Sequence, residues 1–196
     1  MITLTKIKLA GGDETPRFEA TLCWNGKPVA AVSNGGTGGA CRVWWAAPAR
    51  RIEDVVVTYR DTILAVLREA SREAKRLEPA LYAHLDPEAD PFARHDGEDA
   101  LSFVCMHEVE LSRHIKALDR ACKSRVLTRC PGQAEGAYYT ISVPPTPAEI
   151  AGVKSRYPGH IVLNELSSRE RAERIMRAEP APPESVNPLT RPSRRD

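Results

Sequence analysis

The stretch from Phe18 to Trp45, FEATLCWNGKPVAAVSNGGTGGACRVWW, constrains the fold more than any other. Asn25-Gly26 separates two short apolar runs, and that dipeptide favours a two-residue type I′ turn between antiparallel strands. Phe18, Ala20, Leu22 and Trp24 alternate with Glu19 and Thr21, so one face of the first strand is apolar. The glycine-rich loop from Asn34 to Gly39 then delivers a third run, Ala40 to Trp45. The expected result is a β-meander, a floor on which the later helices pack. Ahead of it, Ile2, Leu4, Ile7 and Leu9 predict a further strand. Its alternation slips between Leu4 and Ile7, which predicts a bulge or an edge position.

Two long helices follow. Val56, Tyr59, Ile63, Val66, Leu67, Ala70, Ala74 and Leu77 step by three and four, which predicts a helix over about 53–78, ended by Pro79. Arg68, Arg72 and Arg76 interleave with Glu69 and Glu73 on its other side and read as a solvated, paired face. Residues 80 to 97 read as a loop with a short helical turn. Asp96 can cap a second helix over about 97–124, with Leu101, Val104, Glu108, Leu111, Ile115, Leu118 and Cys122 on one seam. A second hairpin is expected from Val126–Cys130 and Tyr138–Val143. Thr146-Pro147-Ala148-Glu149 has capping-box spacing and starts a short helix that Pro158-Gly159 stops. Ile161 to Leu163 is a brief apolar run. The fold class is therefore α+β: an antiparallel meander with two long helices, a second β-hairpin and a short C-terminal helix. Residues 1–166 read as one α+β domain, 167–178 as a frayed helix and 179–196 as a disordered Pro/Arg-rich tail.

The five cysteines, at 23, 41, 105, 122 and 130, are odd in number and lack CxxC spacing. No charged-then-apolar leader opens the sequence, and no apolar run nears the ~20 residues of a membrane span. Together these predict a cytoplasmic protein with reduced thiols and no membrane partner.

No motif supplies a catalytic group, a metal site or a cofactor. The loop 34–39 has the glycines of an anion nest, but no lysine follows it and a strand comes next, unlike a phosphate loop. His107-Glu108-Val109-Glu110-Leu111 departs from the zinc-protease pattern HExxH because Leu111 stands where histidine belongs. His107 and His114 are about 10 Å apart along a helix, too far to share a metal. A zinc site drawing on Cys105, Cys122, Cys130 and a histidine has no support from spacing. A Cys–His pair need not be close in sequence, but no cysteine here has a flanking signature for one.

Charge is more informative than motif. Net charge is only +2, so the chain is no polycation, but its distribution is uneven. From Glu78 to Glu110 there are nine acids and one arginine; from Ser112 to Cys130 there are six bases and one acid. Arg113, Lys116, Arg120 and Lys123 recur at helical spacing and form a basic stripe suited to phosphates or an acidic protein surface. The bland account is that acids near a helix N-terminus and bases near its C-terminus suit the macrodipole. With seven lysines the chain holds 21 arginines. Arginine suits bidentate anion binding, although a GC-rich genome gives the same bias.

Leu4-Thr5-Lys6-Ile7-Lys8, Asn25-Gly26-Lys27 and Gly38-Gly39 near the start, with Glu135-Gly136 and Asn164-Glu165 near the end, resemble small uncharacterised proteins of phages, prophages and plasmids. The resemblance covers about half the chain, and the proline-rich tail departs from it. It implies an accessory protein of a mobile genetic element and carries no catalytic residue. The expected function is non-enzymatic binding of a host protein or nucleoprotein complex through charged surface. The alternatives are direct nucleic-acid binding by the stripe, and a small thiol- or metal-dependent enzyme.

Overall fold

Asn25 and Gly26 both take positive φ, 50° and 77°, the signature of a type I′ turn. They join β2 (Arg17–Trp24) to β3 (Lys27–Asn34), with Phe18 opposite Asn34, Ala20 opposite Val32 and Leu22 opposite Ala30. The computed structural model describes residues 1–11, 14–46, 52–90 and 96–177, with backbone alone over 52–59. The tail 179–196, Gly12-Asp13 and the side chains of Val56 and Tyr59 lie outside the described residues. A Cβ at Gly26 would meet nothing within 4 Å. A substitution there is therefore opposed by backbone strain alone, and Gly26→Val is expected to cost about 1–3 kcal/mol. Chemical denaturation checks this; an unshifted midpoint would refute the assignment.

The chain divides into two compact units, Met1–Glu110 and Leu111–Asp196, where the sequence reading drew one domain over 1–166. In the first, β1 (Ile2–Ala10), β2, β3 and β4 (Arg42–Trp45) form an antiparallel sheet in sequence order. β1 is both an edge strand and bulged: its register shifts between Thr5 and Lys8, and Lys6 sits at φ 53°. Phe18, Ala20, Leu22, Ala30 and Val32 turn one face of the sheet toward two helices. From α1 (Ile52–Leu77) come Ile63, Val66, Leu67, Ala70 and Ala74. From α2 (Asp96–Cys122) come Ala100, Leu101, Val104, Cys105 and Val109. The three- and four-residue spacing of each set is what makes one core-facing stripe per helix. On the outer side of α1, Arg72 pairs with Glu69 and Glu88, and Arg76 with Glu73.

The second unit is built on β5 (Val126–Arg129), paired antiparallel with β6 (Tyr139–Ile141) and with β7 (Ile161–Val162). The expected hairpin is thus part of a three-stranded sheet in the order β6-β5-β7. Two residues of β7 are too few to show a period in sequence. β5 is buried throughout because side chains alternate across it. Val126 joins Val153 of α3 (Pro147–Arg156) and Val162 on one face. Leu127 joins Leu111, Leu118, Leu163 and two residues of α4 (Ser168–Ile175), Ala172 and Ile175, on the other. Thr146 caps α3 by accepting from Glu149 N at 3.3 Å, with Pro147 opening the helix.

α4 falls within 167–178, where the sequence predicts a frayed helix. Ser167 and Glu170 instead form a full capping box, the Ser167 hydroxyl accepting from Glu170 N at 3.3 Å and Ser167 N donating to Glu170 Oε2 at 3.0 Å. The bonds from Ser167 hold the Glu170 carboxyl below its ordinary range. Asn164 ties the same region to the sheet. Its Oδ1 accepts from Leu127 N at 2.7 Å, and its Nδ2 donates to the carbonyls of Cys122 and Arg125 at 3.2 and 3.0 Å.

Candidate functional site

Arg113, Lys116, Arg120 and Lys123 are all exposed, the first three on α2 and Lys123 one residue beyond its end. Leu111 and Leu118 are buried in the core of the second unit, and Ile115 and Cys122 pack partly against it. The apolar seam thus takes the inward side and leaves the basic one in water, over about 15 Å by helix rise. The macrodipole accounts for only part of this. Its influence fades within the last turn, which holds Arg120, whereas Arg113 and Lys116 lie further back.

Asp119 is the one acid between Ser112 and Cys130, and its carboxylate is engaged elsewhere. Oδ1 accepts from Arg171 Nη1 at 2.7 Å and from Ser168 Oγ at 2.8 Å. Arg171 is nearly buried and also donates to the carbonyls of Leu163 and Leu166, both at 2.9 Å. A cation on α4 therefore offsets the acid that interrupts the stripe. The wider charge distribution agrees: residues 1–110 carry 13 bases and 17 acids, and residues 111–196 carry 15 bases and 9 acids. The second unit is thus at +6 and the first at −4 by sequence.

The glycine loop is committed to its own structure. Buried Asn34 accepts through Oδ1 from Gly36 N at 2.8 Å and Thr15 Oγ1 at 3.1 Å, and donates through Nδ2 to Gly39 O at 2.8 Å. Gly36 O accepts from Glu14 N at 3.1 Å, and Gly38 N donates to Thr15 Oγ1 at 3.4 Å. The Glu14 carboxylate lies where a Gly38 side chain would stand, 2.1 Å from an ideal Cβ. Two glycine amides are taken and a carboxylate sits on the loop, a poor setting for a phosphate.

A concavity of about 390 Å³ in the first unit is lined by Cys41, Trp44, Trp45, Leu67, Glu98 and Asp99, among others. Its thiol is not a ready nucleophile. Burial pushes the Cys41 pKa up against the opposing hydrogen bonds to Ser102 and Asn34. Burial raises Cys105 and Cys122 as well, and the thiolate is the reactive form. All five cysteines are free. Among the described residues, no three His, Cys, Asp or Glu side chains are placed to hold a metal ion, and no helix is long and apolar enough to cross a membrane.

The sequence reading missed an aromatic cluster in the second unit. The rings of Tyr139 and His160 lie 5.9 Å apart at 25°, and those of Tyr157 and His160 lie 5.4 Å apart at 34°. The signal available was Tyr138-Tyr139 and Tyr157, bulky aromatics outside any apolar period. No family model matches this chain, and neither does a curated protein nor a solved structure.

Proposed function

We propose that this is a non-enzymatic binding protein whose partner is a polyanion, the nucleic acid of a nucleoprotein complex. The stripe Arg113, Lys116, Arg120 and Lys123 makes the phosphate contacts. The observation that carries this reading is the stripe's exposure together with the engagement of Asp119 by Arg171. Long basic side chains on one rigid helix track a phosphate backbone without reading sequence. In the mobile-element setting that the sequence resemblance implies, the complex would be the host's.

Binding to a short DNA duplex across a potassium chloride series tests this. Each phosphate contact contributes about −0.9 to the log–log slope, so four engaged side chains give roughly −3 to −4. Replacing all four by Gln is expected to abolish binding and leave the fold intact, because exposed charges contribute little to stability. Each single replacement should shallow the slope by about one. A folded quadruple variant that binds with an unchanged slope would place the surface elsewhere.

A further inference from the structure

Tyr139 comes from β6, Tyr157 and His160 from the turn that ends α3, and the backbone holds them together. Tyr139 opens β6 directly opposite Thr128 of β5. Tyr157 ends α3, its N–H donating to Val153 O at 2.9 Å. Gly159, at φ 86°, turns the chain back so that His160 N donates to Tyr157 O at 3.1 Å. The His160 ring lies 3.5 Å from Thr128 Oγ1 through Nδ1, and Thr128 is itself buried. The array is therefore preorganised from a buried strand, yet Tyr139 is 53% and Tyr157 38% exposed. About half of Tyr139 and more than a third of Tyr157 therefore stay in water on a fixed backbone, which leaves ring surface open to a ligand.

We propose that Tyr139, Tyr157 and His160 form a stacking platform for unpaired bases of a single-stranded nucleic acid. The proposal rests on the polyanion reading above and narrows it to a strand class. Exposed aromatic rings on a positively charged protein are the recurring means of holding single strands, because every base presents a π-face. Charge decides between this occupant and a proline-rich basic peptide, which also favours aromatic surfaces. The unit is at +6 by sequence, and Arg156, next to Tyr157, is exposed. A cationic peptide would be repelled there and a polyanion drawn in. In a duplex the base faces are covered by their neighbours, so the platform discriminates strands as the stripe cannot.

The test compares oligo(dT), the same length of abasic strand, a DNA duplex and inorganic polyphosphate, using the full chain. The variant carries Tyr139→Leu and Tyr157→Leu, which keep apolar bulk at exposed positions; a matching circular-dichroism melt verifies its fold. Affinity for oligo(dT) is expected to fall about ten- to a hundredfold, while affinity for the other three ligands stays within about twofold. Oligonucleotides carrying 5-bromodeoxyuridine should photocrosslink to Tyr139 or Tyr157 in the parent protein, mapped by mass spectrometry. Unchanged oligo(dT) affinity, or crosslinks mapping only to other residues, would overturn the platform and leave the rings as a surface for protein contact. The two readings fail separately. Loss of duplex binding in the four-Gln variant with no effect of the tyrosine pair sinks the platform alone. A four-Gln variant with its salt slope intact sinks the stripe, while tyrosine crosslinks would stand by themselves.

Discussion

Replacing Arg129 by Met is expected to destabilise the second unit by about 3–5 kcal/mol, because several hydrogen bonds from one charged donor, each worth about 1.5–3 kcal/mol, are lost together and water replaces part of them. Arg129 is 0% exposed, although it lies on a strand whose neighbours are Leu and Thr. Its Nη1 donates to the Arg174 carbonyl. Its Nη2 donates to the carbonyls of Ala134 at 3.1 Å, Gln133 at 3.3 Å and Arg177. A helix leaves its last carbonyls without internal donors and carries partial negative charge there. The guanidinium meets both needs at the end of α4, and Gly136 N adds a bond to Ile175 O at 2.8 Å. Met retains the length of the apolar stem and removes every donor, so these part-buried carbonyls lose their partners, at up to about 1–3 kcal/mol each where water does not replace the bond, unless α4 lets go. Undocking limits the total. Denaturant titration measures the loss, and amide exchange over 168–175 should accelerate with it. Arg129→Lys is expected to recover only a minor part, because a point charge cannot reach carbonyls on both sides of a planar fork. Unchanged exchange in α4 would show that the helix is held by its apolar side alone.

This arginine also marks where the sequence stopped being legible. Asn25-Gly26 announces the first hairpin because only a few residue types tolerate positive φ. The stripe on α1 announces a helix because Ile63, Val66, Leu67, Ala70 and Ala74 repeat over about three turns. α4 has eight residues and mostly charged ones, too short and too polar for a period to emerge. Beside Ala172 and Ile175 it is docked by Arg129 and Arg171, and a buried arginine looks like any other among 21. The resemblance had singled out Asn164-Glu165. Asn164 proves to be a three-way clamp, and Glu165 pairs with Lys154 at 3.2 Å. The basic stripe was readable from spacing, because a helix face follows from three- and four-residue steps. The partner of Asp119 was not, since Arg171 is 52 residues away. Separation in sequence also hid the aromatic cluster, because Tyr139 meets His160 only through the β5–β6 pairing and the turn after α3.

Asp119→Asn should move stability and binding in opposite directions. Arg171 is 8% exposed and Asp119 39%, so the change leaves a nearly buried guanidinium without its carboxylate. An amide oxygen can still accept one bond, and solvent reaches the Asp119 side, which together reduce the cost from the 3–5 kcal/mol of a fully buried pair to about 2–3 kcal/mol. The Ser168 bond at 2.8 Å weakens as well, because its acceptor is no longer charged. On the binding side, the stripe loses its only internal negative charge. The added attraction reaches phosphates within roughly a Debye length, about 10 Å at 0.1 M salt. Duplex affinity is therefore expected to rise about two- to fivefold at 0.05 M salt and to converge with the parent near 0.5 M, where screening removes the difference. Asp119→Asn combined with Arg171→Leu separates the two effects: it removes the stranded charge, so stability should partly return, and it cancels the change in net charge, so the affinity gain should disappear. If Asp119→Asn alone binds no more tightly at low salt, the stripe around position 119 does not face the polyanion.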